Sequence, residues 1–200
     1  MMPMARRIRG EQPRGFTLIE LMVAITVLAI LLGLAIPSFR DASLGSRLTG
    51  YSNDMVASVR LARSEAIKRN RVVVLCATAT TSDGDVVCVD RANWETTGWV
   101  VGFVEEVDRV DEDGNPITVD AVNVIQRQPP LTPEFRFTLT AGANEDSAIL
   151  FPPTIAGATP AEFRVCRWNP VGRQEREVRI TATGAASVSE PDSVSTCPGA

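Results

Sequence analysis

The sequence predicts an α+β chain in which one long N-terminal helix packs on a small, mostly antiparallel β-sheet domain. The first half of that helix is apolar and the second half amphipathic. Three observations predict this. A run of 21 residues, Phe16 to Ile36, contains a single charge, Glu20. Beyond it, Leu48, Tyr51, Met55, Val59, Ala62 and Ala66 recur at helical spacing. After Arg71 the chain turns to short β-branched segments broken by Asp-Gly, Pro-Pro and Asn-Pro turns.

Composition narrows the function classes. The chain of 200 residues has room for one ordinary domain and an appendage. It contains no histidine, which removes the commonest general base and the commonest metal ligand. No nucleophile motif is present, and no catalytic activity, cofactor or metal is expected. Residues 1–15 hold Arg6, Arg7, Arg9 and Arg14 against Glu11, so this leader carries +3 while the whole chain carries −4. The body is therefore acidic, which disfavours non-specific nucleic-acid binding over its whole surface.

Residues 1–15 contain Pro3, Gly10 and Pro13 and are expected to be unstructured. Residues 16–36 follow as a helix. At about 1.5 Å per residue, its 21 residues match the ~30 Å hydrocarbon core of a bilayer. The preceding arginines predict a cytoplasmic N-terminus and a translocated body. An ordinary anchor accounts for the apolar run but not for Glu20. A cleaved secretory signal has a small-x-small site at Gly33 and Ala35, but the length of the run and the carboxylate count against it. A carboxylate inside a membrane helix costs roughly 2.5–3.5 kcal/mol and points to a function.

Residues 37–70 continue the helix through its apolar stripe, with Glu65 and Arg69 as a favourable i,i+4 pair. Gly45 and Gly50 weaken its middle, and the stem is expected to stop near Asn70. Residues 71–200 read as a β domain. Its strands are placed at Arg71–Ala77, Val86–Val89, Gly98–Glu105, Val122–Gln126, Phe135–Leu139, Ala148–Phe151, Glu162–Trp168 and Glu177–Thr181. The acidic stretch Asp108–Pro116 lacks the register and the closing glutamate of an EF-hand, and is expected to be a solvated hairpin tip.

Four cysteines form an even set without C-x-x-C spacing. In a translocated body they are expected as disulfides. Three connectivities are open, and proximity in sequence favours Cys76–Cys88 across the Asp83-Gly84 turn and Cys166–Cys197 at the C-terminus. One local cationic segment remains, with Arg164, Arg167, Arg173, Arg176 and Arg179 around Trp168. It reads either as a solvated hairpin with internal Arg–Glu pairs or as a DNA contact, since arginines beside an aromatic can hold phosphates and stack on bases.

The stretch "RGFTLIELMVAITVLAILLGLAIP" resembles the prepilin signature of type IV pilins and type II secretion pseudopilins. The resemblance implies that a prepilin peptidase cuts between Gly15 and Phe16 and that the new N-terminal Phe16 is N-methylated. Glu20 becomes the fifth mature residue, able to pair with the Phe16 amine of its own chain or of a neighbouring subunit. Pro37 takes the place of a helix-kinking proline. "SVRLARSEAIKRNRVVVLC", a following Asp-Gly, and "WETTGWVVGF" further resemble the GspH/FimT group of minor pilins and pseudopilins, a likeness that covers residues 14–105.

The implied protein is a structural subunit of a type IV pilus or a type II secretion pseudopilus. It is single-pass in the inner membrane with a periplasmic C-terminal domain, and is found in the filament after assembly. The implied partners are the prepilin peptidase and other minor and major pilins or pseudopilins. Group members that act in DNA uptake carry a C-terminal G-R-x-R element, which makes a DNA-binding minor pilin the alternative. Here Gly172-Arg173-Gln174-Glu175-Arg176 places the second arginine one residue too far along.

Overall fold

The computed structural model describes residues 15–80, 84–88, 94–110, 116–141, 148–168, 171–191 and 197, with backbone alone at 34, 35, 37, 38, 106–110, 116–120, 140, 141 and 171–173. Its elements are α1 (Leu18–Arg69), β1 (Val73–Thr80), β2 (Val86–Cys88), α2 (Trp94–Thr97), β3 (Trp99–Val110), β4 (Pro116–Gln128), β5 (Phe135–Ala141), β6 (Ile149–Phe151), β7 (Ala161–Trp168), β8 (Val171–Ile180) and β9 (Ala186–Ser189). The chain divides into two units, one ending at Ser43 and the other beginning at Leu44.

In the second unit, the stripe read from the sequence becomes the buried face of α1. Leu48, Met55, Val59, Ala62 and Ala66 are buried, and Tyr51 packs partly buried against the same core. Burial extends to Val56 and to Ser52 and Ser58. These serines are tolerated because each hydroxyl has a partner. Ser52 bonds back to the Leu48 carbonyl at 3.1 Å, and Ser58 donates to the Asp54 carbonyl at 2.8 Å while accepting the Trp99 indole N–H at 3.0 Å.

The helix stops where Asn70 takes a left-handed φ of 51°. The Asn70 N–H then bonds the Ile67 carbonyl and the Arg71 N–H bonds the Ala66 carbonyl. This 5→2 and 6→1 pattern satisfies two of the last four carbonyls of the helix.

The β domain comprises two sheets, where the sequence reading distinguished only one small β-sheet domain. The first has the order β2-β1-β3-β4, with β6 also on β1. The second is β5-β7-β8-β9, and every pairing is antiparallel. One core joins α1 to both sheets. Phe137 of β5 stacks on Trp99 of β3 at 5.5 Å and on Phe163 of β7 at 4.9 Å, and Trp94 meets Phe163 edge-on at 5.0 Å.

Several boundaries moved. β3 and β4 pair from Trp99↔Gln128 to Val110↔Pro116, so Asp108, Arg109 and Pro116 belong to a ladder and not to a loop. The hairpin tip itself, 111–115, lies outside the described residues. β8 starts at Val171, not Glu177, and α2 and β9 were not anticipated. The four-residue α2 ties the sheets together. The Glu95 carboxylate accepts the Arg136 guanidinium and the Phe137 backbone N–H, each at 2.8 Å, and its carbonyl accepts the Leu131 N–H at 2.8 Å.

β1 is buried on both faces. Val73, Leu75 and Ala77 face the main core, while Val74 and Cys76 join Val100 and Val122 in a smaller outer cluster. Cys76 is bonded to Cys88, and Cys166 to Cys197, with Cα separations of 5.6 and 5.8 Å. Closing the loop between Cys76 and Cys88 restricts the unfolded chain by roughly 2–3 kcal/mol in the chain-entropy account.

Candidate functional site

The described part of the first unit is the apolar start of α1. From Phe16 to Gly33 every side chain is exposed, including Phe16 at 85%, Leu18 at 76% and Leu28 at 55%. In water this surface would be a severe liability. The polar groups within the run are handled locally. Thr26 returns its hydroxyl to the Met22 carbonyl at 2.7 Å. Thr17 caps the helix start, its hydroxyl accepting the Glu20 N–H at 3.3 Å while its carbonyl accepts the Leu21 N–H at 3.2 Å.

Thr17-x-x-Glu20 has the spacing of a capping box, a signal legible in the sequence but not used there. It puts Glu20 in the first helical turn, where the helix dipole favours an anion. α1 is helical across Pro37. Among the described residues, no helix is long and apolar enough to cross a membrane. The side chains at positions 34 and 35, inside the 21-residue apolar run of the sequence, are not among them.

The cationic segment is the β7–β8 hairpin. Its core-facing residues are Phe163, Val165 and Val178, while Glu162, Arg164, Glu175, Glu177 and Arg179 occupy the opposite face. Strand register pairs these charges crosswise, with Glu162 opposite Arg179 and Arg164 opposite Glu177. Arg179 lies 3.0 Å from both Glu162 and Glu177. Arg164 lies 3.8 Å from Glu175 and 4.0 Å from Glu177, and Arg176 lies 2.9 Å from Glu190.

Glu175, the strand partner of Cys166, is buried, with its side chain 1% exposed. Arg167 lies on β7 beside Trp168, whose ring is covered by the Arg136 guanidinium at 4.3 Å. Arg173 lies on β8, and its side chain is not among those described. Arg164, Arg176 and Arg179, among the five arginines proposed for DNA, thus already hold carboxylates.

Glu162 and Glu177 share a hydrogen bond, which holds the Glu162 carboxyl below the usual range, with Arg179 assisting, and pushes Glu177 up. The stabilisation from Glu162 is present above the ordinary carboxylate value and is lost as pH falls through its lowered value. The stabilisation from Glu177 is present below the ordinary value and is lost as pH rises through its raised value. Replacing Glu177 by glutamine offers Glu162 a hydrogen-bond donor at every pH and removes the second charge that an ionised Glu177 carries. We expect Glu177→Gln to raise stability at neutral pH by roughly 0.5–1 kcal/mol, with little change at acid pH. Urea melts at several pH values, alongside a carboxyl NMR titration, check this. A parallel loss at every pH contradicts it.

Among the described residues no group of three His, Cys, Asp or Glu side chains could hold a metal ion. An open groove of about 550 Å³ is floored by Val74, Val104 and Leu150 and rimmed by Arg71. That arginine lies over the Phe103 ring at 4.6 Å and 3.4 Å from Glu105.

An apolar helix capped at its start, leading into an antiparallel head with two disulfides, defines a pilin-like protein. Residues 12–36 match the model described as the prokaryotic N-terminal methylation motif, and residues 52–184 match the family described as type II transport protein GspH. The chain therefore belongs to the GspH family, in the GspH/FimT group of minor pilins and pseudopilins.

Among known proteins it is similar to a fimbrial protein of Pseudomonas aeruginosa, 32% identical over 73 residues, which is 36% of this chain and 47% of the relative. It is also similar to the pilin-like protein PilA1 of Thermus thermophilus, 36% identical over 78 residues, 39% of this chain and 49% of that protein. The type IV major alpha-pilin of Moraxella bovis is 33% identical over 73 residues, 36% of this chain and 45% of that pilin. The chain spans about half the length of the curated relatives it matches. The crystal structure of the Pseudomonas aeruginosa type IV minor pilin FimU aligns with a TM-score of 0.47 at 16% identity, covering 75% of this chain and 96% of that one.

Proposed function

We propose that the chain is a minor subunit of a type IV pilus or type II secretion pseudopilus and has no catalytic role. In this reading the prepilin peptidase cuts between Gly15 and Phe16, and Phe16 is N-methylated. The segment Phe16–Ile36 resides in the inner membrane with the head in the periplasm, and is then drawn into a bundle of like helices. The observation that carries the reading is the apolar stretch Phe16–Gly33, exposed along its whole length with Glu20 as its one carboxylate. Lipid tails and neighbouring apolar helices are equivalent solvents for such a surface, so transfer from one to the other has a small net cost. Glu20 supplies what apolar packing lacks, a polar group that prefers one axial register.

Intact-mass analysis of the protein purified from membranes tests the processing step. The expected mature species begins at Phe16 and carries one added methyl group. A chain beginning elsewhere overturns the reading.

A further inference from the structure

We propose that Cys88 is a thiol–disulfide exchange site, at which a dithiol reductant opens the Cys76–Cys88 bond while Cys166–Cys197 stays closed. Exchange requires a thiolate to reach one sulfur of the bond, so access selects the disulfide and the sulfur attacked. Cys166 is fully buried, Cys197 is 4% exposed and Cys76 is 2% exposed. Cys88 is the one partly exposed member of the four. It sits at the end of β2, a strand of three residues, while Cys166 lies within β7, paired on both sides by β5 and β8.

The step balances as follows. The attacking thiolate bonds to Cys88 Sγ, and the electron pair of the old bond leaves on Cys76 Sγ, which takes a proton. The second thiol of the reductant loses its proton and displaces Cys88 Sγ as a thiolate, which is protonated in turn. The protein gains two electrons and two protons, and the reductant leaves as a disulfide.

The consequence is local. β2 is joined to β1 through Thr78↔Cys88, Ala79↔Val87 and Thr80↔Val86, a three-residue pairing at the end of the sheet order that the covalent link reinforces. Val86 and Cys88 pack over the outer cluster of Val74, Cys76, Val100 and Val122. Opening the bond therefore uncovers an apolar patch on the first sheet. The main core, which holds α1 and the second sheet, is a separate cluster and stays closed. The two disulfides thus have different roles. Cys166–Cys197 is a permanent pin, and Cys76–Cys88 is a reversible latch on one face of the head.

The test uses the full chain in detergent micelles with both disulfides formed. Limiting dithiothreitol is added, the reaction is quenched with N-ethylmaleimide, and the labelled peptides are identified by mass. Cys76 and Cys88 are expected to be labelled together at least about tenfold sooner than Cys166 and Cys197. Glutathione, which lacks a second thiol, is expected to leave its adduct on Cys88.

Deuterium exchange after selective reduction should quicken at residues 73–80, 84–88 and 99–101 and stay unchanged at 161–168. A Cys76→Ala/Cys88→Ala variant should show the same pattern without reductant. Simultaneous or reversed opening, an adduct on Cys76, or unchanged exchange around β2 overturns the proposal. The order of reduction in micelles does not depend on filament assembly, so the outcome stands apart from the reading above.

Discussion

Glu20→Ala is expected to be cut and methylated as in the parent chain and yet to be scarce in filaments. The proposed processing acts at the Gly15–Phe16 bond. Glu20 lies one helical turn further on, its N–H held by Thr17. Alanine keeps the helix and the apolar surface, so membrane residence should persist and even improve, because the ionised carboxylate costs roughly 2.5–3.5 kcal/mol in lipid. The change removes the carboxylate proposed to pair with a Phe16 amine across subunits. A loss of about 1.4 kcal/mol in docking corresponds to about a tenfold fall in incorporation, and that is the minimum expected here. Quantifying mature protein in membranes and in sheared filaments separates the two steps. Glu20→Asp should recover part of the loss if charge is the requirement, and Glu20→Gln should not. Normal incorporation of the alanine variant would remove Glu20 from the assembly mechanism.

The second large effect concerns the head. Phe163 is fully buried on β7, between β5 and β8, with its ring against Phe137 and Trp94. Removing it opens a cavity where three elements meet, and Phe163→Ala is expected to cost about 3–5 kcal/mol. Domains of this size hold only about 5–15 kcal/mol in total, so a large part of the stability of the head is at stake. Urea melts followed by the fluorescence of Trp94 and Trp99 give the number directly. Val188→Ala, on the partly exposed edge strand β9, is the control and should move the midpoint little. Equal effects at the two positions would mean that the aromatic cluster does not organise the head.

Some of the proposed assembly site was plain in the sequence and some was not. Glu20 stands out because it is the single charge in a run of 21 residues, which an ordinary membrane anchor does not explain. Thr17 did not stand out, although its spacing to Glu20 is a capping signal, because the apolar run drew the eye to hydropathy. The hairpin arginines were visible as a cluster, but a cluster in sequence says nothing about which carboxylates lie across the strand. Register decides that. Arg164 meets Glu175 and Glu177, Arg179 meets Glu162 and Glu177, and Arg176 meets Glu190 from beyond β9. Glu95 left no trace at all. A four-residue helix has no measurable period, and its partners at Arg136 and Phe137 are about forty residues away.

The sequence by itself determined the long helix, its apolar and amphipathic halves, its end at Asn70, and the motifs that place the chain among the minor pilins and pseudopilins. These are local properties: a repeat of three and four residues, a charge in an apolar run, a change to β-branched residues. Only the tertiary structure decided that the β domain is two sheets, that β8 reaches back to Val171 and that β9 completes the second sheet. It also decided that Glu175 is buried and that Cys88 is partly exposed while Cys76, Cys166 and Cys197 are buried. Each of these rests on which strand lies beside which. In β8 one face carries Glu175, Glu177 and Arg179 while the other carries Val178 and Ile180; the sequence places a strand from Glu177, but only the partner strand decides which opposites the charges meet. Pairing between residues far apart in the chain leaves no short-range signature, and that is where sequence reasoning ended.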